Sequence, residues 1–139
     1  MMVDIAEIST ILAAVGVLVG VVFTVIELRN LVKQRQTDLI TNLYSIFATE
    51  EFQKEWHTEM TEEINDYNTY RKKYAVEIPP AGLFFHEIGV LLNEKLIDIR
   101  LVYKMFGGVI MNYWKRAKPI VESGRSELNS PRWAWGLEY

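Results

Sequence analysis

Between Ile8 and Ile26 the chain runs for nineteen residues without a charged side chain. As a helix this stretch is roughly 28 Å long, close to the hydrocarbon thickness of about 30 Å of a bilayer. Ser9, Thr10 and Thr24 are its only hydroxyl residues, and in a helix they can return their hydroxyls to backbone carbonyls. A helix buried in a soluble core would carry some polar stripe, and none is present here. A cleavable signal peptide calls for a basic leader, a shorter apolar run and a small-residue cleavage site. The residues before the run are instead acidic, Asp4 and Glu7, and the pattern continues into Glu27–Arg35 without such a site. The expectation is a transmembrane helix.

The flanks give that helix a direction. No Lys or Arg precedes it, whereas Arg29, Lys33 and Arg35 follow closely, so the positive-inside bias puts the N-terminus outside and the rest of the chain in the cytoplasm. Gly16 and Gly20 form a G-x-x-x-G pair, Ala13 shares their face and Thr24 extends the row. Small residues at this spacing let two membrane helices approach closely, or they can be glycines of an ordinary membrane helix. Glu27, one turn on and on nearly the same face, either lines an oligomer axis or sits at the interface with Arg29 or water.

Beyond the apolar run the composition is that of a soluble helical protein. Leu28, Val32, Leu39, Leu43 and Ile46/Phe47 recur at three- and four-residue steps with no Gly or Pro between Glu27 and Phe47, which predicts that the membrane helix continues as a stalk. Arg35 falls on that seam and argues against a long coiled coil. Thr49 is the expected N-cap of a helix marked by Phe52, Trp56, Met60, Ile64, Tyr67 and Tyr74, closed by Arg71-Lys72-Lys73. Pro79-Pro80 breaks the chain, and a helix from about Pro80 to Glu94 follows, with Gly82 and Gly89 permitting close packing. Asp98 caps the last long helix, in which Pro119 is expected to introduce a kink and Gly124 to end it. The aromatic tail carries Trp133 and Trp135, expected to dock on the helices or, less commonly, to sit at a membrane surface. The fold class is therefore all-α: an anchor over residues 1–27, a stalk over 28–48 and a cytoplasmic domain of about three helices over 49–139.

The search for chemistry returns little. A net charge of −3 with no recognition motif excludes nucleic acid as the expected partner, and the absence of Cys removes disulfides, thiolate metal sites and cysteine nucleophiles. The only histidines are His57 and His86. His86-Glu87 lacks the second His of an H-E-x-x-H motif, Val90 standing in its place, and His57 among Glu59, Glu62 and Glu63 reads as a surface histidine. No phosphate loop, dinucleotide fingerprint or nucleophile elbow is present, so neither cofactor nor metal is expected. Seven acids between Glu50 and Asp66 face one Lys54, and Glu50, Glu51, Glu55, Glu59, Glu62 and Glu63 form a candidate partner surface, or simply a solvated face. Lys115, Arg116 and Lys118 form a basic cluster suited to that acidic helix or to anionic headgroups.

Three runs carry a resemblance: Gly82–Leu92, Leu96–Gly107 and Tyr113–Arg125. With the apolar helix and basic stalk, they resemble a family of small prokaryotic proteins that pair one N-terminal membrane helix with a cytosolic helical domain of unknown function. The likeness covers nearly the whole chain and departs at His86, where similar sequences place an aromatic or acidic residue. It implies a prokaryotic plasma membrane as location and supplies no functional residues to carry over. The expected function is that of a membrane-anchored, non-enzymatic interaction or assembly protein, as a homo-oligomer or an accessory subunit. Its rivals are a small homo-oligomeric pore and, last, an enzyme.

Overall fold

The computed structural model describes residues 4–76 and 78–139, all helix and connecting turns. Five α-helices follow one another: α1 (Ile5–Phe47), α2 (Glu50–Thr61), α3 (Tyr67–Tyr74), α4 (Pro80–Asn93) and α5 (Ile99–Glu127), with a 3-10 turn at Trp135–Leu137. The chain divides into two compact units, residues 1–38 and 39–139.

α1 is long and apolar enough to cross a membrane, and none of its apolar window is buried. Ser9 and Thr10 donate to the carbonyl of Ala6, and Thr24 donates to that of Gly20 at 2.9 Å. The hydroxyls are thus satisfied within the helix, as an apolar surround requires.

The second unit begins inside what the sequence reads as stalk. Ile40 and Leu43 are buried, and Phe47 packs with Phe52, Phe84 and Phe106 at ring separations of 5.5, 6.0 and 5.7 Å. The second half of the core is also aromatic: Trp56 and Tyr113 both pack on Phe85, at 5.3 and 4.8 Å. Aromatic rings bury large areas, and tilted pairs at these distances add about 0.5–1.5 kcal/mol each beyond that burial.

Two expectations about helix continuity need correction. Four helices rather than about three follow α1, because the segment after Thr49 is broken at 62–66. Asp66 is the reason on the sequence side: its side chain accepts from the Thr69 amide at 2.9 Å, so it serves as an N-cap and not as a mid-helix residue. Tertiary contacts complete the break, since Arg116 donates to the Ile64 carbonyl at 2.8 Å and the Ser123 hydroxyl accepts from the Tyr67 amide at 3.2 Å. The second correction concerns the end of α5, which runs past Gly124 to Glu127 with Pro119 inside it. Gly124 is a packing position: a Cβ there would lie 2.6 Å from the Trp133 ring, so the missing side chain lets Trp133 dock. Thr49 and Asp98 cap α2 and α5 as their sequence positions suggest, accepting from the amides of Phe52 (3.2 Å) and Arg100 (2.7 Å).

Candidate functional site

Two places hold the residues singled out above. The first is the small-residue row of α1. At 3.6 residues per turn, Ala13, Gly16, Gly20, Thr24 and Glu27 fall within an arc of about 80°, and all five are exposed. A Cβ added at Gly16 or Gly20 would meet nothing within 4 Å, so both glycines present open backbone. The flanking Val17, Val19 and Val21 are 66, 49 and 56 % exposed, an open apolar surface.

The second place is α2, where the acidic row separates by direction. Glu50, Glu51 and Glu63 are exposed and Glu55 partly so. Glu62 is engaged: it pairs with Lys73 and accepts from the Tyr74 hydroxyl at 2.8 Å, and those bonds hold its carboxyl below the usual range. Glu59 is the correction. It does not belong to a partner surface, being only 8 % exposed. Its position is set by periodicity, since residues 52, 56 and 59 share a helix face and Phe52 and Trp56 both turn to the core. That spacing is visible in the sequence and was the available signal for an inward-facing acid.

The Glu59 carboxyl is met by two donors. The Ala81 amide, in the first turn of α4, donates to Oε1 at 3.3 Å, and the Tyr113 hydroxyl donates to Oε2 at 3.2 Å. Both bonds are long, and they do not offset burial, which together with the charges of Glu55 and Glu62 pushes the carboxyl up to about 7. Burial also raises Tyr70 and Tyr113, so both phenols stay neutral. Beside Glu59 lies a cavity of about 30 Å³, walled by Tyr70, Tyr74, Arg116, Ile120 and Trp133 among others. That is a volume on the scale of one water molecule. The arrangement can take up and release a proton near neutrality.

The histidines have separate fates. His57 is exposed on α2. His86 Nδ1 accepts from the Gly136 amide at 3.2 Å, and its ring lies 5.8 Å from that of Trp135. His86 therefore fixes the C-terminal 3-10 turn on α4, a role with no obvious sequence signal because its partner lies fifty residues away. No group of three or more His, Asp or Glu is arranged to hold a metal among the described residues. The Tyr67 hydroxyl is buried without a hydrogen-bond partner among the described residues.

Compared with known proteins, residues 10–139 match a family model described as a domain of unknown function, DUF4760. No curated protein and no solved structure matches the chain.

Proposed function

The chain belongs to the DUF4760 family, and we propose that it is a membrane-anchored, non-enzymatic interaction protein. In this reading α1 spans the plasma membrane of a prokaryote once, N-terminus outside, and the second unit works in the cytoplasm. The face bearing Ala13, Gly16, Gly20 and Thr24 packs on another membrane helix, either of a second copy or of a membrane-protein partner. The observation that carries it is the uncharged run Ile8–Ile26, helical and uncovered, with two glycines open to close approach. Exposing so many Val and Leu side chains to water is unfavourable at about 25 cal/mol per Å², whereas hydrocarbon accommodates them. Between helices in lipid, backbone approach at small residues supplies the packing that hydrophobic burial supplies in water.

The test is extraction and assembly. The protein should stay in the membrane pellet at alkaline pH, leave it in mild detergent and migrate there as an oligomer or with a captured membrane protein. Gly16→Ile with Gly20→Ile should reduce it to a lone monomer. Release by alkali, or a strictly monomeric wild type without partner, defeats the reading. Because Glu27 lies within the same arc, a ring of these helices forming a cation pore is the rival. It requires conductance in planar bilayers that changes selectivity with Glu27→Gln, and silent bilayers remove it.

A further inference from the structure

The outer face of α5 combines positive charge with uncovered apolar side chains. From Ile99 to Val121 the helix has Arg100, Lys104, Lys115, Arg116 and Lys118 and no acid. Arg116 turns inward to the Ile64 carbonyl. The other four share an arc of about 120° with Tyr103 and Met111. Tyr103 and Met111 are 73 and 57 % exposed, and Ile99 at the rim is 61 % exposed. Gly107 lies beneath Tyr103, where a Cβ would come within 2.8 Å of the ring; without it the phenol rests along the helix surface. Along the helix itself, acids flank the face at its two ends. Asp98 holds Arg100 at 2.9 Å, and Glu122 stands 3.9 Å from Lys118. Lys104 and Lys115 have no ion pair among the described residues.

A surface that takes both features at once is an anionic bilayer. Its headgroups meet the lysines, a tyrosine sits at the headgroup level, and Ile and Met side chains reach the acyl boundary. An acidic protein would meet the charges but would need its own matching apolar face. We propose that the α5 face formed by Ile99, Tyr103, Lys104, Met111, Lys115 and Lys118 docks on anionic phospholipid headgroups. This rests on the anchoring proposed above, which keeps the chain at a bilayer, and on Arg29, Lys33 and Arg35, which assign the second unit to the leaflet richer in anionic lipid.

The sequence contains no Cys, so one introduced thiol is labelled cleanly. The full chain is reconstituted in nanodiscs of phosphatidylcholine alone or mixed with phosphatidylserine. A fluorophore at Tyr103→Cys, and separately at Met111→Cys, is read for quenching by spin-labelled lipid. Quenching should be about threefold greater in the anionic discs and fall to the neutral level near 1 M salt, where the screening length is about 3 Å. Lys104→Glu with Lys115→Glu, both exposed and checked by circular dichroism for unchanged helicity, should abolish the anionic preference. Equal quenching in both lipids, or none, overturns the proposal. So does protection from an aqueous quencher that persists in lipid-free detergent, which would mean that another protein covers the face. A label at Val17→Cys separates the two readings: deep quenching there with none at position 103 leaves the anchor standing and removes only the docking.

Discussion

The Glu59 carboxylate accepts from the Ala81 amide and the Tyr113 hydroxyl inside the second unit. It lies in an acidic run, yet its helix position carries it into the core, where burial lifts its carboxyl to about 7. The consequence for stability has a definite sign. The folded value lies above the unfolded one, near 4.5, so the fold favours the protonated form. Stability from this group is complete below about pH 4.5, declines as pH rises to about 7 and is level above that, by an amount on the order of 3 kcal/mol. Glu59→Gln should flatten that limb: equal to wild type near pH 4.5 and more stable above pH 7, as read by denaturant unfolding across pH. A variant that still loses stability between these values would place the effect elsewhere. Gly89 is the opposite kind of residue, defined by what it lacks. A Cβ there would lie 1.7 Å from the Gly136 carbonyl oxygen, so Gly89→Ala must displace the 3-10 turn. Overpacking of this kind costs about 1–3 kcal/mol. The tail Trp135–Tyr139 should become protease-sensitive and its tryptophan emission shift to the red, while a tail that stays protected would contradict the close approach.

At the scale of elements, helix ends are where sequence and structure agree best. Thr49 and Asp98 each cap through a local side-chain bond, and such bonds need only the neighbouring residues. Asp98→Ala should therefore destabilise the second unit by about 1 kcal/mol; no change in unfolding midpoint would mean that the Arg100–Asp98 pair and its cap are idle. Helix interiors agree less well. The pattern from Phe52 to Tyr74 is apolar at helical spacing on both sides of the break, so periodicity alone joins α2 to α3. What separates them is Asp66 together with Arg116 and Ser123, and the last two lie more than fifty residues away. Gly124 errs in the other direction. Glycine commonly ends helices, but here it makes room for Trp133, which the sequence places without showing where it lands.

For the whole molecule the informative question is where the folded second unit begins. The core takes in Ile40, Leu43 and Phe47, so a boundary at residue 49 cuts through it. A chain starting at Asp38 should unfold cooperatively, whereas one starting at Thr49 loses two buried aliphatic side chains and the Phe47 ring. Large-to-small changes at such sites cost about 2–5 kcal/mol each, comparable with the whole stability of a domain this size. Equal melting of the two truncations would put the boundary back at 49.

The sequence by itself determined the elements that depend on composition and on near neighbours. These are the uncharged helix and its flanking charges, the small-residue row, the capping residues and the proline break before α4. Each is a property of a few consecutive residues, and hydrophobic transfer or a local hydrogen bond is enough to set it. Only the tertiary structure decided what covers Glu59, that Tyr67 opens a new helix, that His86 and Gly89 hold the C-terminal turn and that the core reaches back to Ile40. Those outcomes depend on partners about twenty to sixty positions apart, which come together when apolar faces bury against one another. Helical spacing records that a residue lies on an apolar face but not which distant face will cover it.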